Sequence, residues 1–479
     1  MGHLIKINLP GGFISAGDLY EMLLIAENAG ATDVRFGNRQ QLYFTVKADK
    51  LEDMELDMLK AEISYEIDDE VYPNIISSYV ADTIFNHHEG WLREGVYKDI
   101  FDRFEHQPKL KVNLVDDHQT FVPFFSGNIN FIASNVNNYW FTYIRFPKTD
   151  RLFCLPSLVY SEDIPTLTKA AEDIILQKKD LFYNRVDIDE ELFYKTLLKK
   201  ISVAFRPVIE PLKLPDFQLP YYEGFNRYSN KYWLGIYRRN ELFLIGFLKD
   251  VCLLCLKSRI GQIYTTPWKT IIIKGIEQAD RNQWGLILSK YHLNVRHAAN
   301  ELNWQIEDMC SEGLELKKQL VRQFEEADLR THQLSFAIKT QPKTGLQGAV
   351  ILRKNKPGDY DILHTRDFNP NSRDEVIYAQ KIKPRFLSKK LIALCKEFYS
   401  QQADPHLSDT LVLSEETIAL PDNLSVYQCS NCLTRYDKQY GDAVNGIKKG
   451  IDFELLNAYS CPVCEAPKSE FKLIYSTLI

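Results

Sequence analysis

Apolar positions along the chain fall twice into the same order of elements. After Gly11-Gly12-Phe13, residues Leu19, Met22, Leu23 and Ala26 recur at helical spacing. Two short runs follow, around Asp33-Val34-Arg35-Phe36 and Gln41-Leu42-Tyr43-Phe44, and their composition predicts strands. Far downstream, Leu242–Leu256 again has helical spacing and leads into Gly261-Gln262-Ile263-Tyr264, then Thr270-Ile271-Ile272-Ile273 and Gly275-Ile276. A helix, strand, turn, strand unit that occurs twice predicts a pseudo-duplicated α+β body. The later stretch reads as helical through Trp304, Ile306, Met309, Leu314, Leu316, Leu320 and Phe324, with Gly313 marking a weak point or break. Glu315 and Lys318 stand at the spacing of an ion pair on that helix. Strand-like runs follow at 334–338, 348–352 and 361–364, then a turn at 366–371. The pattern divides the chain into a first repeat over 1–224 (half-domain 10–50, then an α/β part) and a second over 225–400 (half-domain 235–276, then an α/β part). A linker over 401–424 and a small domain over 425–479 complete it.

Composition narrows the function classes. A chain of 479 residues suggests roughly three domains. Its 45% hydrophobic and 12% aromatic content predicts packed cores. A net charge of −6 offers no basic field for nucleic acid. The start, MGHLIKINLPGG, lacks the charged-then-apolar order of a secretory signal, and Lys6 stands where a myristoylation site needs Ser or Thr. No apolar run reaches membrane-spanning length. These features lead us to expect a cytoplasmic protein with no membrane partner.

Chemistry concentrates at the C-terminus. Cys429 and Cys432, then Cys461 and Cys464, form two C-x-x-C pairs, enough for one tetrahedral cage of four sulfurs that suits zinc or iron. The other five cysteines, Cys154, Cys252, Cys255, Cys310 and Cys395, are scattered without a disulfide pattern. Cys252 and Cys255 lie in the apolar Leu242–Leu256 stretch and are expected to pack as small hydrophobes. Around the paired cysteines stand Arg435-Tyr436-Asp437, Tyr440-Gly441-Asp442, Asn445-Gly446-Ile447, Gly450-Ile451-Asp452-Phe453 and Cys461-Pro462-Val463-Cys464. With these pieces the segment resembles rubredoxin, which implies one iron on the four cysteines and a core from Tyr427, Tyr436, Phe453 and Phe471. Three positions depart from that family: Leu433 and Glu465 stand where it places glycine, and Tyr459 where it places tryptophan. A bulky residue there is expected to reshape or strain each knuckle and to alter the redox potential.

A second resemblance concerns the repeat. Gly37-Asn38-Arg39-Gln40-Gln41-Leu42 and Thr265-Thr266-Pro267-Trp268-Lys269-Thr270 resemble the turns of the ferredoxin-like half-domains of sulfite and nitrite reductases. Pro73-Asn74-Ile75-Ile76, Lys109-Leu110-Lys111-Val112 and Asn128-Ile129-Asn130-Phe131-Ile132-Ala133 also fit that pattern. In that family a Thr-x-Arg-Gln turn faces sirohaem and the oxyanion. Its four-iron cluster needs C-x5-C and C-x3-C in the second half, in a region that corresponds to about 285–400 here, where this chain has Cys310 and Cys395 alone. No [4Fe-4S] cluster is therefore expected, and sirohaem is not favoured. Arg35, Arg39, Arg145, Lys148 and Lys269 are candidates to hold a tetrapyrrole propionate or an oxyanion, against the plainer reading of solvated charge. Arg39 leads because it occupies the family's turn. His87 and His88 read as ordinary polar positions.

The sequence thus predicts an electron-transfer protein: a single iron on four cysteines, tethered to a reductase-like docking body, with a redox protein as partner and nitrite or sulfite assimilation as its setting. Two alternatives stay open: a divergent sirohaem-type oxyanion reductase fed by its own iron domain, and a zinc-bound scaffold. Between 421 and 479 seven acidic residues stand against six basic ones, so no acidic face for steering is expected.

Overall fold

The first pair of predicted strands forms a ladder, Asp33–Phe36 antiparallel to Leu42–Lys47. A computed structural model of the chain describes residues 2–82, 84–85, 90–118, 121–149, 151–185, 187–217, 219–341, 344–356, 358–372, 374–402 and 425–475. It divides into two units, Met1–Tyr399 and Ser400–Ile479.

In the larger unit the duplication is plain, but the two copies are interlocked. Phe243–Leu244, from the second copy, pairs with Asp33–Phe36 at the edge of the first sheet. Phe13–Ser15, from the first copy, pairs with Gln262–Thr265 at the edge of the second. Each half-domain therefore completes the other's sheet. Their helices share one core. Helix Ala16–Asn28 starts at Ser15, whose hydroxyl accepts from the Asp18 amide at 3.0 Å. It packs on helix Ile245–Lys257, and Leu19, Leu23 and Ala26 join Phe247, Leu248 and Val251 in a single apolar cluster. Cys252 and Cys255 lie in the same cluster, and burial pushes the Cys252 thiol up to about 12. The helix begins three residues later than its apolar pattern suggests, because Phe243–Leu244 is spent on the exchanged strand.

Between the two half-domain segments the chain builds a mixed sheet through Ile76–Ser77, Val112–Val115, Ile129–Ala133, Tyr139–Arg145, Ser157–Tyr160 and Phe205–Pro207. After the second half-domain, Trp304–Ile306, Phe336–Lys339, Val350–Lys354, Tyr360–Thr365 and Glu375–Ile382 form a five-stranded sheet. One predicted element is corrected here. Trp304 and Ile306 belong to a strand, and the helix that follows runs Ser311–Glu326. Gly313 does not break that helix. A side chain there would meet Ile306 Cγ2 at 2.5 Å, so glycine is needed for close packing of helix on strand. Glu315 and Lys318 do face each other, at 3.6 Å. Helix Pro384–Gln402 occupies the first two residues assigned to the linker, and 403–424 lie outside the described residues.

The smaller unit is a three-stranded sheet, Arg435–Tyr436, Ser425–Cys429 and Phe471–Tyr475. Its core is aromatic: Tyr436, Phe453, Tyr459 and Phe471 are buried, and Tyr427 stacks on Phe453 at 4.3 Å.

Candidate functional site

The two cysteine pairs sit on matching turns. In the first, the Leu433 amide donates to the Cys429 carbonyl at 3.0 Å and the Cys429 amide to the Thr434 carbonyl at 2.8 Å. In the second, Glu465 and Cys461 do the same with Cys461 and Ala466, at 2.9 Å each. Each turn folds its two thiols toward one point. All four Sγ atoms lie within 4.8 Å of one another, and this is the one such convergence of metal-ligating groups among the described residues. Cys429 Sγ stands 3.5 Å from Cys464 Sγ, and Cys432 Sγ 3.4 Å from Cys461 Sγ. Cys429 and Cys461 are buried, whereas Cys432 is half-buried and Cys464 exposed.

The turns carry backbone strain where the sequence lacks glycine. Leu433 has φ 63° and Glu465 φ 61°, both in the left-handed region. The donor set fits the ion that the spacing implied, since four sulfurs at one point suit tetrahedral iron or zinc. Hydrogen bonds from Thr434 pull the Cys432 thiol down to about 6. The Ala466 amide favours the Cys464 thiolate, but desolvation and then the neighbouring sulfurs together outweigh it and push that thiol up to about 12. Crowded thiols of this kind lose all their protons only when a cation replaces them.

The candidate cations of the body do not form one cluster. Arg39 is buried on the turn between its two strands. It donates to the Asn74 carbonyl at 3.1 and 2.7 Å, the Val112 carbonyl at 2.8 Å and Asn113 Oδ1 at 3.2 Å. Burial, then Arg145, lowers it to about 9. Gln40 beside it has φ 59° and donates to the Thr265 carbonyl at 2.8 Å, tying the turn at 37–42 to the one at 265–270. Arg145 donates to the carbonyls of Gly127 and Ser126, both at 3.1 Å. Lys269 is held by carboxylates: Glu241 at 2.9 Å and Asp308 at 3.5 Å. Burial opposes its charge, yet those carboxylates prevail and raise its pKa. Arg35 lies elsewhere, lining a separate cavity of about 220 Å³ with Tyr43 and Met309. Lys148 stands 5.4 Å from the Tyr183 ring centre and lines, with Arg145, Lys339 and Arg353, a cavity of about 540 Å³. His87 and His88 lie outside the described residues.

Two lysines whose pKa values fall furthest, half-buried Lys111 and buried Lys317, were not among the candidates read from sequence. Lys111 is drawn to about 8 by burial, Arg39 and Arg145. Its signal was present in the Lys109-Leu110-Lys111 alternation. Lys317 donates to Tyr237 Oη at 2.9 Å and is likewise lowered to about 8 by burial. It looks in sequence like any charged helix position. Cys310 caps helix Ser311–Glu326, its Sγ accepting from the Gly313 amide at 3.3 Å, and Cys395 is buried on helix Pro384–Gln402.

Comparison with known proteins agrees with both resemblances. Residues 2–61 match the nitrite/sulfite reductase ferredoxin-like half domain, and residues 426–471 match rubredoxin. The chain thus combines a segment of the reductase half-domain type with a rubredoxin-type segment that carries the four converging cysteines. Among solved structures it resembles the NirA protein of Mycobacterium tuberculosis, with a TM-score of 0.60 and 14% identity over 81% of this chain and 79% of that one. At that identity the likeness concerns the fold. Among the described residues no helix is long and apolar enough to cross a membrane.

Proposed function

We propose that this chain is an electron-transfer protein in which Cys429, Cys432, Cys461 and Cys464 hold a single iron, and that its reductase-like body docks a redox partner. The convergence of four sulfurs within 4.8 Å, inside a segment that matches rubredoxin, carries the reading. Iron in such a cage exchanges one electron. The chain's own part is to fix the four sulfurs on two short hydrogen-bonded turns and to bury two of them. It leaves Cys432 and Cys464 toward solvent, where a partner can approach. The tether raises the effective concentration of the carrier at whatever the body binds. Nitrite or sulfite assimilation is the setting suggested by the half-domain match. The reading asks for no four-iron cluster, since Cys310 and Cys395 are engaged in a helix cap and an apolar core.

A second reading has one specific observation in its favour. Beyond the effect of burial, Arg145 disfavours the charge of Arg39, and Arg39 and Arg145 disfavour that of Lys111. An anion beside them, whether an oxyanion or a tetrapyrrole carboxylate, would relieve that repulsion. The body would then be an oxyanion reductase supplied by its own iron domain.

A visible spectrum of the purified protein, oxidised and then dithionite-reduced, with metal analysis on the same sample, tests both. Thiolate-to-iron bands that bleach on reduction, with one iron per chain, are the expected result. An added haem band supports the second reading. A featureless spectrum with stoichiometric zinc refutes both and leaves a scaffold.

A further inference from the structure

The two knuckles match in backbone but not in what they offer the exposed sulfurs. In each, the residue two beyond the outer cysteine donates its amide to that cysteine's sulfur: Thr434 to Cys432, and Ala466 to Cys464. Thr434 adds a second contact. Its Oγ1 lies 3.1 Å from Cys432 Sγ. Ala466 has no counterpart to it. The backbone that carries this hydroxyl is fixed, because the Thr434 carbonyl accepts from the Cys429 amide at 2.8 Å and so closes the turn.

From this asymmetry we propose that Thr434 is a positioning and tuning residue for the iron site, its hydroxyl donating to Cys432 Sγ and raising the potential of the centre. The inference rests on the iron reading above. A metal-bound sulfur carries no proton, so in the loaded protein the hydroxyl is the donor and the sulfur the acceptor. Hydrogen bonds to charged acceptors are the stronger kind. Reduction adds one negative charge to the cage, and a donor on sulfur stabilises that more negative state. Cys432 is one of the two ligands that reach the surface, so the bond lies on the side from which electrons arrive.

The test is a spectroelectrochemical titration of the iron-loaded full chain, comparing wild type with Thr434→Val and Thr434→Ser. Valine keeps the branched shape and the backbone donor but removes the hydroxyl. At an ambient potential equal to the wild-type midpoint, Thr434→Val is expected to raise the ferric-to-ferrous ratio by at least about threefold, roughly 28 mV for one electron. Thr434→Ser should stay within about twofold of wild type, since it restores the donor. A valine variant that titrates with wild type, or a serine variant that shifts as far as valine, overturns the role while the thiolate-to-iron bands remain. Protein that takes zinc alone overturns it as well, and the missing bands show that the iron reading failed first.

Discussion

The cysteine cage and the buried cations of the body both gather chemically alike groups, and they differ in how far those groups are committed to the fold. The four sulfurs face one another within 4.8 Å. The body's best cation, Arg39, spends its guanidinium on two backbone carbonyls and an asparagine, and Lys269 spends its charge on Glu241 and Asp308. A family turn can therefore persist as architecture. What marks a site is donor capacity left over after folding, and by that measure the cage stands well above the cations.

The sharpest way to break this contrast is to remove Lys269. If it is structural, Lys269→Met strands Glu241 and Asp308 in a buried setting. Loss of one partner from such a group costs about 3–5 kcal/mol. Urea unfolding of the larger unit should show that loss, and Lys269→Met with Glu241→Gln should recover part of it. A cost below about 1 kcal/mol, in the range of exposed pairs, would return Lys269 to the list of ligand-binding cations.

A smaller effect separates Lys111 from the committed cations. Its folded pKa, about 8, lies below the ordinary lysine value of 10.5. In that window the unfolded chain binds the proton and the folded one does not, so stability rises as pH climbs from about 8 toward 10.5. Below 8 both states are charged and the folded one bears the full penalty, on the order of 3 kcal/mol. Lys317, also lowered to about 8, contributes in the same direction. Denaturant midpoints between pH 7.5 and 10 should therefore climb in wild type and climb less in Lys111→Met. An unchanged slope would mean that Lys111 is already compensated, and the case for an anion beside it would weaken.

How much could be read from sequence follows the same division. The cage was legible because its ligands pair at short range and their spacing alone brings the thiols together. The core aromatics came with it, apart from Tyr459, which was noted for what it replaces and proves to be buried with the rest. The duplicated half-domains were legible from helical spacing followed by apolar runs. Their interlocking was not, because Phe13–Ser15 and Phe243–Leu244 are too short to show alternation. Trp304 and Ile306 read as helix because both faces of that strand are buried, which removes the period that tells strand from helix. The strand Glu375–Ile382 and the helix Pro384–Gln402 went unread. For the cations, charge was visible but commitment was not. The acceptors of Arg39 lie 35 and 73 residues away along the chain.

The smallest expected effect tests whether the cage, too, makes a concession to something other than folding. Leu433 and Glu465 hold φ values of 63° and 61°, where a side chain costs energy and glycine does not. Glycine loses more freedom on folding, by roughly 0.5–1 kcal/mol, so most of the relief is cancelled. Leu433→Gly should thus stabilise the iron-loaded domain by no more than about 1 kcal/mol, read as a higher midpoint for denaturant-induced loss of the iron bands. Leucine is 66% exposed at that position, beside the half-buried Cys432, so its removal takes apolar surface from the rim of the cage without opening a cavity. Stabilisation accompanied by slower electron exchange with a partner would mean that the strain is kept for contact at the rim. Destabilisation would instead mean that the leucine packs over the turn and that the knuckle's departure from glycine belongs to the fold.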